Sequence, residues 1–154
     1  MIRAARAEAR VFQSWLDYQS ALKRAIAPLS PDQLEFRPIS GRRSAGEIAE
    51  HIVFGRALHT HRVLGDEATT VKPFLSWDRS GESPRSGADI VEGLEVTWGV
   101  IERALMRGDA MDEVSDSEEP TVEEVIWGLL DHDLPHAGQL SLILRAAGLP
   151  GVEI

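Results

Sequence analysis

Two histidines four residues apart, His132 and His136, sit in the middle of an apolar helical stripe. On a wheel at 100° per residue, Val125, Leu129, Leu140, Ile143 and Ala147 all fall within about 40° of His136, and so does His132. Imidazoles one turn apart on a single helix face have the spacing that lets both ligate one ion. His51 is placed similarly on an earlier helix, with Gly55, Leu58 and Arg62 on its face. Three inward imidazoles from two helices would form a facial set with at least one coordination position open to water or substrate. Taken alone, His51 reads first as a hydrogen-bonded core residue, the commoner fate of a lone inward histidine. His59 lies about 12 Å along the axis from His51, too far to share an ion with it, and His61 points to another, solvated face. The 154 residues include no cysteine and five histidines. Disulfides, thiolate metal sites, Fe–S clusters and a cysteine nucleophile are thereby excluded, and any metal falls to His, Asp or Glu.

A catalytic ion needs groups that orient its ligands and move protons. Glu47 stands one turn before His51 and either reaches the site or caps its helix with Ser44, capping being favoured. Gln139, one turn after His136, either hydrogen-bonds a ligand or supports the packing. Tyr18, the sole tyrosine, lies on an apolar stripe from which it could reach the open side of an ion, although a core position with its hydroxyl paired is favoured. Asp133 is about 60° from the His136 direction, which suits a surface position or an outer contact to a ligand better than ligation. Pro135 falls inside the helix, where it removes a donor and crowds the Asp131 carbonyl, and a kink there would re-aim His132.

Four helical stretches must position these groups. The first runs from about Ile2 to Ala27, with Val11, Trp15, Tyr18, Leu22 and Ile26 on one stripe, and Pro28 stops it. Ser30 and Pro31 open a single helical turn. Ser44, with Glu47 as its capping-box partner, opens the second long helix, which Gly65 ends after Leu64. Residues 65–86 show no clear period and read as a functional lid or a partly mobile loop, with Trp77 helping to close a pocket. A third helix spans about Ala88–Ala110, with Val91, Leu94, Trp98, Ile101 and Leu105 in register. An acidic solvated loop, Asp112 to Glu119, follows. Thr121, with Glu124 three residues later, caps a fourth helix that ends near Ala147, where Gly148 and Pro150 close it. Trp15, Trp98 and Trp127 read as core. No segment reads as a strand. Four amphipathic helices of roughly 20–26 residues, about 30–39 Å each, predict an all-α four-helix bundle, one domain over residues 1–154.

With 43% hydrophobic and 27% charged residues, the composition is that of an ordinary globular chain. Sixteen basic residues against 25 acidic ones give a net charge of −9, the wrong sign for tracking phosphates, so nucleic acid is not the expected partner. The start, MIRAARAEARVF, is basic with no apolar run, so no signal peptide is expected. No apolar run approaches the ~20 residues of a membrane span. A cytoplasmic protein acting on a small molecule is the expectation.

The segment from His132 to Pro150, with its H-x3-H-x-G-Q core and Arg145, Gly148 and Pro150 beyond, resembles the C-terminal signature of the DinB superfamily (the DinB/YfiT-like metalloenzymes). Arg37-Pro38 followed by Ser44-Ala45-Gly46-Glu47-Ile48 and His51 resembles that family's second-helix start. The likeness extends over essentially the whole chain. It implies an up-down-down-up four-helix bundle in which His51, His132 and His136 hold a divalent ion, Zn or Ni ahead of Mn or Fe. Relatives include thiol-dependent S-transferases and a mycothiol-dependent isomerase, and many members have no known activity. The resemblance therefore implies a metal-dependent hydrolase or a small-thiol-dependent S-transferase. With no protein cysteine, the thiol would be a low-molecular-weight one brought from outside, and Arg56 and Arg62 would meet it if it is anionic. The competing expectation is a non-catalytic, metal-stabilised ligand-binding or dimerisation module, a homodimer in that case. The family's association with DNA damage suggests a DNA-associated role, which the charge balance opposes.

Overall fold

The computed structural model describes residues 2–78, 82–107 and 122–153. Every regular element among them is helical: α1 (Ile2–Ile26), the short α2 (Pro31–Glu35), α3 (Ala45–Leu64), a 3₁₀ segment (Gly65–Ser76), α4 (Gly87–Arg107) and α5 (Val122–Ala146). The expected acidic loop and the Thr121 cap lie outside the described residues.

Helix boundaries follow local chemistry. Ser30 and Ser44 each form a full capping box, with Gln33 and Glu47 returning the hydrogen bond. Gly65 (φ +54°) and Gly148 (φ +75°) adopt left-handed conformations after α3 and α5, and Leu149 N–H donates to Leu144 O at 2.9 Å to close the latter. α5 continues through Pro135, whose ring faces solvent.

Trp15, Tyr18, Leu22 and Ile26 are buried, as the stripe on α1 predicts, but Val11 is 44% exposed. Phe12, one residue round the helix, packs there instead, its ring 6.0 Å from that of Trp98. Trp15 joins α1 to its neighbours, edge-on to Trp98 at 5.2 Å and 5.8 Å from Trp127 on α5. Gln19 donates to Leu94 O on α4.

α3 occupies the centre, packed against α2, the 3₁₀ segment, α4 and α5. Little of it faces water, so its charged residues cannot stay unpaired. Glu47 accepts from Ser44 N–H and the Arg37 guanidinium, Glu50 accepts from Arg85 N–H at 2.6 Å, and Arg56 pairs with Asp133. One-sided amphipathicity is therefore a poor guide here: Leu58, expected on the His51 face, is 43% exposed and Arg62 is exposed as well.

The segment expected to be a lid or mobile loop is, over residues 65–78, part of the core. Ala68, Val71, Phe74 and Trp77 are all buried. The segment is two short 3₁₀ helices joined across a kink at Ala68 (φ −101°, ψ 27°), so no single helical or strand period runs through it. Trp77 lies edge-on to Phe74 at 4.9 Å, and the Arg85 guanidinium sits 4.4 Å above its ring. Its other side meets Gly93 of α4, where an added Cβ would come within 2.9 Å of the indole and 2.8 Å of Val53.

Candidate metal centre

α3 and α5 pack together and bring His51, His132 and His136 into one cluster. Ring centroids are 5.2 Å apart for His51–His132, 4.5 Å for His51–His136 and 4.8 Å for His132–His136. Each ring offers a nitrogen within 4.8 Å of those of the other two, and all three residues are half-buried. Close approach of the helices depends on Gly55, because a Cβ at that position would collide with the His132 imidazole.

Each imidazole has an oxygen beside its Nδ1. His132 faces Asp133 Oδ1 at 3.3 Å and His136 faces Gln139 Oε1 at 3.2 Å. His51 Nδ1 lies 3.1 Å from Asp78 Oδ1, though this buried nitrogen is not aligned for a hydrogen bond. An oxygen at Nδ1 favours the tautomer that leaves Nε2 bare, the arrangement usual for metal-binding histidines. Two nitrogens on a tetrahedral ion at 2.0–2.1 Å stand ~3.3 Å apart, so ring movements of an ångström or so close the set. The residues fit a divalent ion: three borderline-soft donors of no net charge, with no carboxylate joining the group among the described residues.

The outer oxygens are themselves anchored. Asp133 is fully buried and receives the Arg56 Nε–H at Oδ2, 2.6 Å away. Arg56 is also fully buried and donates through Nη1 to Gln19 Oε1 at 2.6 Å. It is a core strut, not the ligand-facing cation expected of it: Nε and Nη1 are engaged by α5 and α1, and the buried Nη2 has no hydrogen-bond partner among the described residues. Asp133, buried and beside His132, makes the outer contact to a histidine that was one of its two expected roles, not the surface one. Asp78, supplied by the residue after Trp77, accepts from Arg43 at 2.5 Å. Burial opposes its ionisation, but the Arg43 hydrogen bond and nearby His51 outweigh this and hold its carboxyl below the usual range. Burial and the Arg43 charge push the His51 pKa down against the pull of Asp78. His59 is also pushed down, by burial and then by His132 and Arg62. Its ring lies 6.0 Å from His132, outside the group of three. His61 caps the end of α3, its Nδ1 3.1 Å from Gly65 O.

Of Glu47, Tyr18 and Gln139, only Gln139 reaches the cluster. Glu47 is held in its capping box and by Arg37. Tyr18 is buried with its hydroxyl donating to Asp133 O at 3.2 Å, and burial raises its pKa strongly. Sequence reasoning missed Asp78 and Arg43 altogether. The i+1 position of Asp133 was the only local hint of its contact with His132.

Fold and site together define an all-helical protein carrying a three-histidine cluster between two of its long helices. Residues 15–140 match the profile of the DinB superfamily, and the chain belongs to that superfamily. Its fold is similar to that of a DinB-like protein from Bacillus cereus ATCC 10987, with a TM-score of 0.68 and 19% identity over 93% of this chain and 94% of that one. No curated protein matches the chain. None of the described helices is long and apolar enough to cross a membrane.

Proposed function

We propose that this protein is a metal-dependent enzyme in which His51, His132 and His136 hold a first-row divalent ion, Zn or Ni ahead of Mn or Fe. The observation that carries the reading is the convergence of three imidazoles, which no fourth His, Asp or Glu joins among the described residues, since a catalytic ion keeps a position open and a structural one is closed. When bound, such an ion supplies Lewis acidity, which brings water or a thiol toward ionisation near neutral pH. Hydrolysis of a small molecule and transfer to or from a small external thiol are the two reactions this serves. Asp133 and Gln139 would hold the rings of His132 and His136 with Nε2 presented, Asp78 stands beside His51, and Arg56 and Arg43 would hold the two aspartates. We read residues 1–154 as one domain with the up-down-down-up bundle topology. Contacts in keeping with that order are those of Gly87, at the start of α4, with Ile26 and Ala27 at the end of α1, and of Pro84 with Gly46 at the start of α3.

The second reading is a metal-stabilised ligand-binding or dimerisation module. It is favoured by the engagement of Tyr18 and Glu47 away from the cluster, which leaves no proton-transfer group among the residues first considered. Elemental analysis of the purified protein beside His51→Ala and His136→Ala tests the shared premise. A near-stoichiometric metal content in the wild type and little in either variant is expected, and equal contents would overturn it. An activity screen against esters, amides and small-thiol conjugates then separates enzyme from module.

A further inference from the structure

We propose that the groove beside the three histidines binds a small amphipathic carboxylate, with Arg42 as its anion partner. This rests on the metal-centre reading only in supposing that the ligand is the substrate, not in supposing that the groove binds it. A cavity of about 600 Å³ opens where the chain entering α3 meets the last turns of α5, within the roughly 300–1,000 Å³ typical of small-molecule sites. Ile39 and Leu142 line it and are 62% and 70% exposed. Single exposed aliphatic residues are ordinary, but these two share one concavity with buried Ile48 and Ile143 at its floor.

The polar residues of the groove are Arg42, Arg43 and Gln139, and two of them lead to the histidines. Gln139 Oε1 faces His136, and Arg43 holds Asp78 beside His51. Arg43 is neutralised by Asp78, whereas no ion pair or side-chain hydrogen bond engages Arg42 among the described residues. The groove therefore offers one uncompensated guanidinium against aliphatic walls. An apolar body with a single carboxylate complements it, since the guanidinium fork matches a carboxylate and the walls gain by shedding water. A cationic or polyanionic ligand has no such match. In a chain of net charge −9, anion binding depends on a local cation of this kind.

Calorimetric titration with octanoate tests the proposal, using metal-loaded wild type, Arg42→Gln, Leu142→Glu and an EDTA-treated sample, with metal content measured on each. Both substituted side chains are largely exposed, and circular dichroism confirms that the variants keep the fold. Saturable binding is expected in the wild type, about tenfold weaker in Arg42→Gln for one lost charge-assisted hydrogen bond. It should be lost in Leu142→Glu, and octylamine should bind at least tenfold more weakly than octanoate. Absent or unsaturable octanoate binding, or binding indifferent to both substitutions, overturns the proposal even if the protein carries metal. Saturable, Arg42-dependent binding in the EDTA-treated sample sustains the groove, whereas a wild type that takes up no metal on loading refutes the metal centre and leaves the groove standing.

Discussion

Replacing Arg56 by methionine would strand the Asp133 carboxylate, which is fully buried and whose Oδ2 has Arg56 Nε at 2.6 Å. Removing one partner of such a pair costs about 3–5 kcal/mol, because the remaining charge keeps its desolvation penalty without compensation. Against a typical total of 5–15 kcal/mol, this lowers the melting temperature by roughly 6–20 °C, at about 2–4 °C per kcal/mol for a chain of this size. The double variant Arg56→Met/Asp133→Leu removes both charges. It should recover most of the loss, the residue being Gln19 Oε1 left without a donor, about 1 kcal/mol. Asp133 also stands beside His132 Nδ1, so the recovered double variant should still bind metal about 10–100-fold more weakly than wild type. Urea denaturation of the metal-free proteins, with competition against a chromogenic chelator for affinity, separates the two effects. A single variant destabilised by under ~1 kcal/mol, or a double variant no more stable than the single, would refute the account of the pair. Unchanged metal affinity in the double variant would remove Asp133 from the centre.

Gly55→Ala should improve helix propensity by up to about 1 kcal/mol yet force the His132 ring aside, so metal content should fall while the helical circular dichroism persists. Wild-type affinity in this variant would show that the ring is not held where α3 meets it. Gly93→Ala should cost about 1–3 kcal/mol by overpacking against Trp77 and Val53, whereas Gly128→Ala, with nothing within 4 Å of the added Cβ, should be neutral or mildly stabilising; equal effects in thermal melts would contradict this. For His51 and His59, burial pushes the folded-state pKa below the ordinary value near 6.5. The folded protein thus binds fewer protons than the unfolded chain, so the stability they contribute is full above about pH 6.5 and is lost as pH falls below it. Denaturation midpoints of metal-free protein should drop between pH 7.5 and 5.5, and less so in His59→Gln; an identical drop in that variant would exclude His59 as a contributor.

The His132–His136 pair was legible because its information is local, a four-residue step on one helix, whereas the membership of His51, on another helix, was implied by the family resemblance. The capping boxes at Ser30 and Ser44 and the core tryptophans were legible for the same local reason as the pair. The anchors behind the histidines were not legible. Arg56 and Asp133 are 77 positions apart on different helices, and the periodicity of one helix says nothing of what faces it. Arg56 consequently read as a cation facing an anionic ligand, although burial on nearly every side of α3 leaves it no such face. Residues 65–78 were misread for a different reason. Their helical turns are short and broken at Ala68, so no one period runs long enough to be recognised.

The adjacency of Trp77 and Asp78 makes two remote events share one peptide link. Trp77 is seated between the 3₁₀ segment and α4, and Asp78 stands at His51. A substitution that unseats the indole would therefore shift the carboxylate that stands beside His51, although the two side chains share no contact. The packing of one tryptophan against α4 thus bears on the surroundings of a histidine on α3 through the backbone alone.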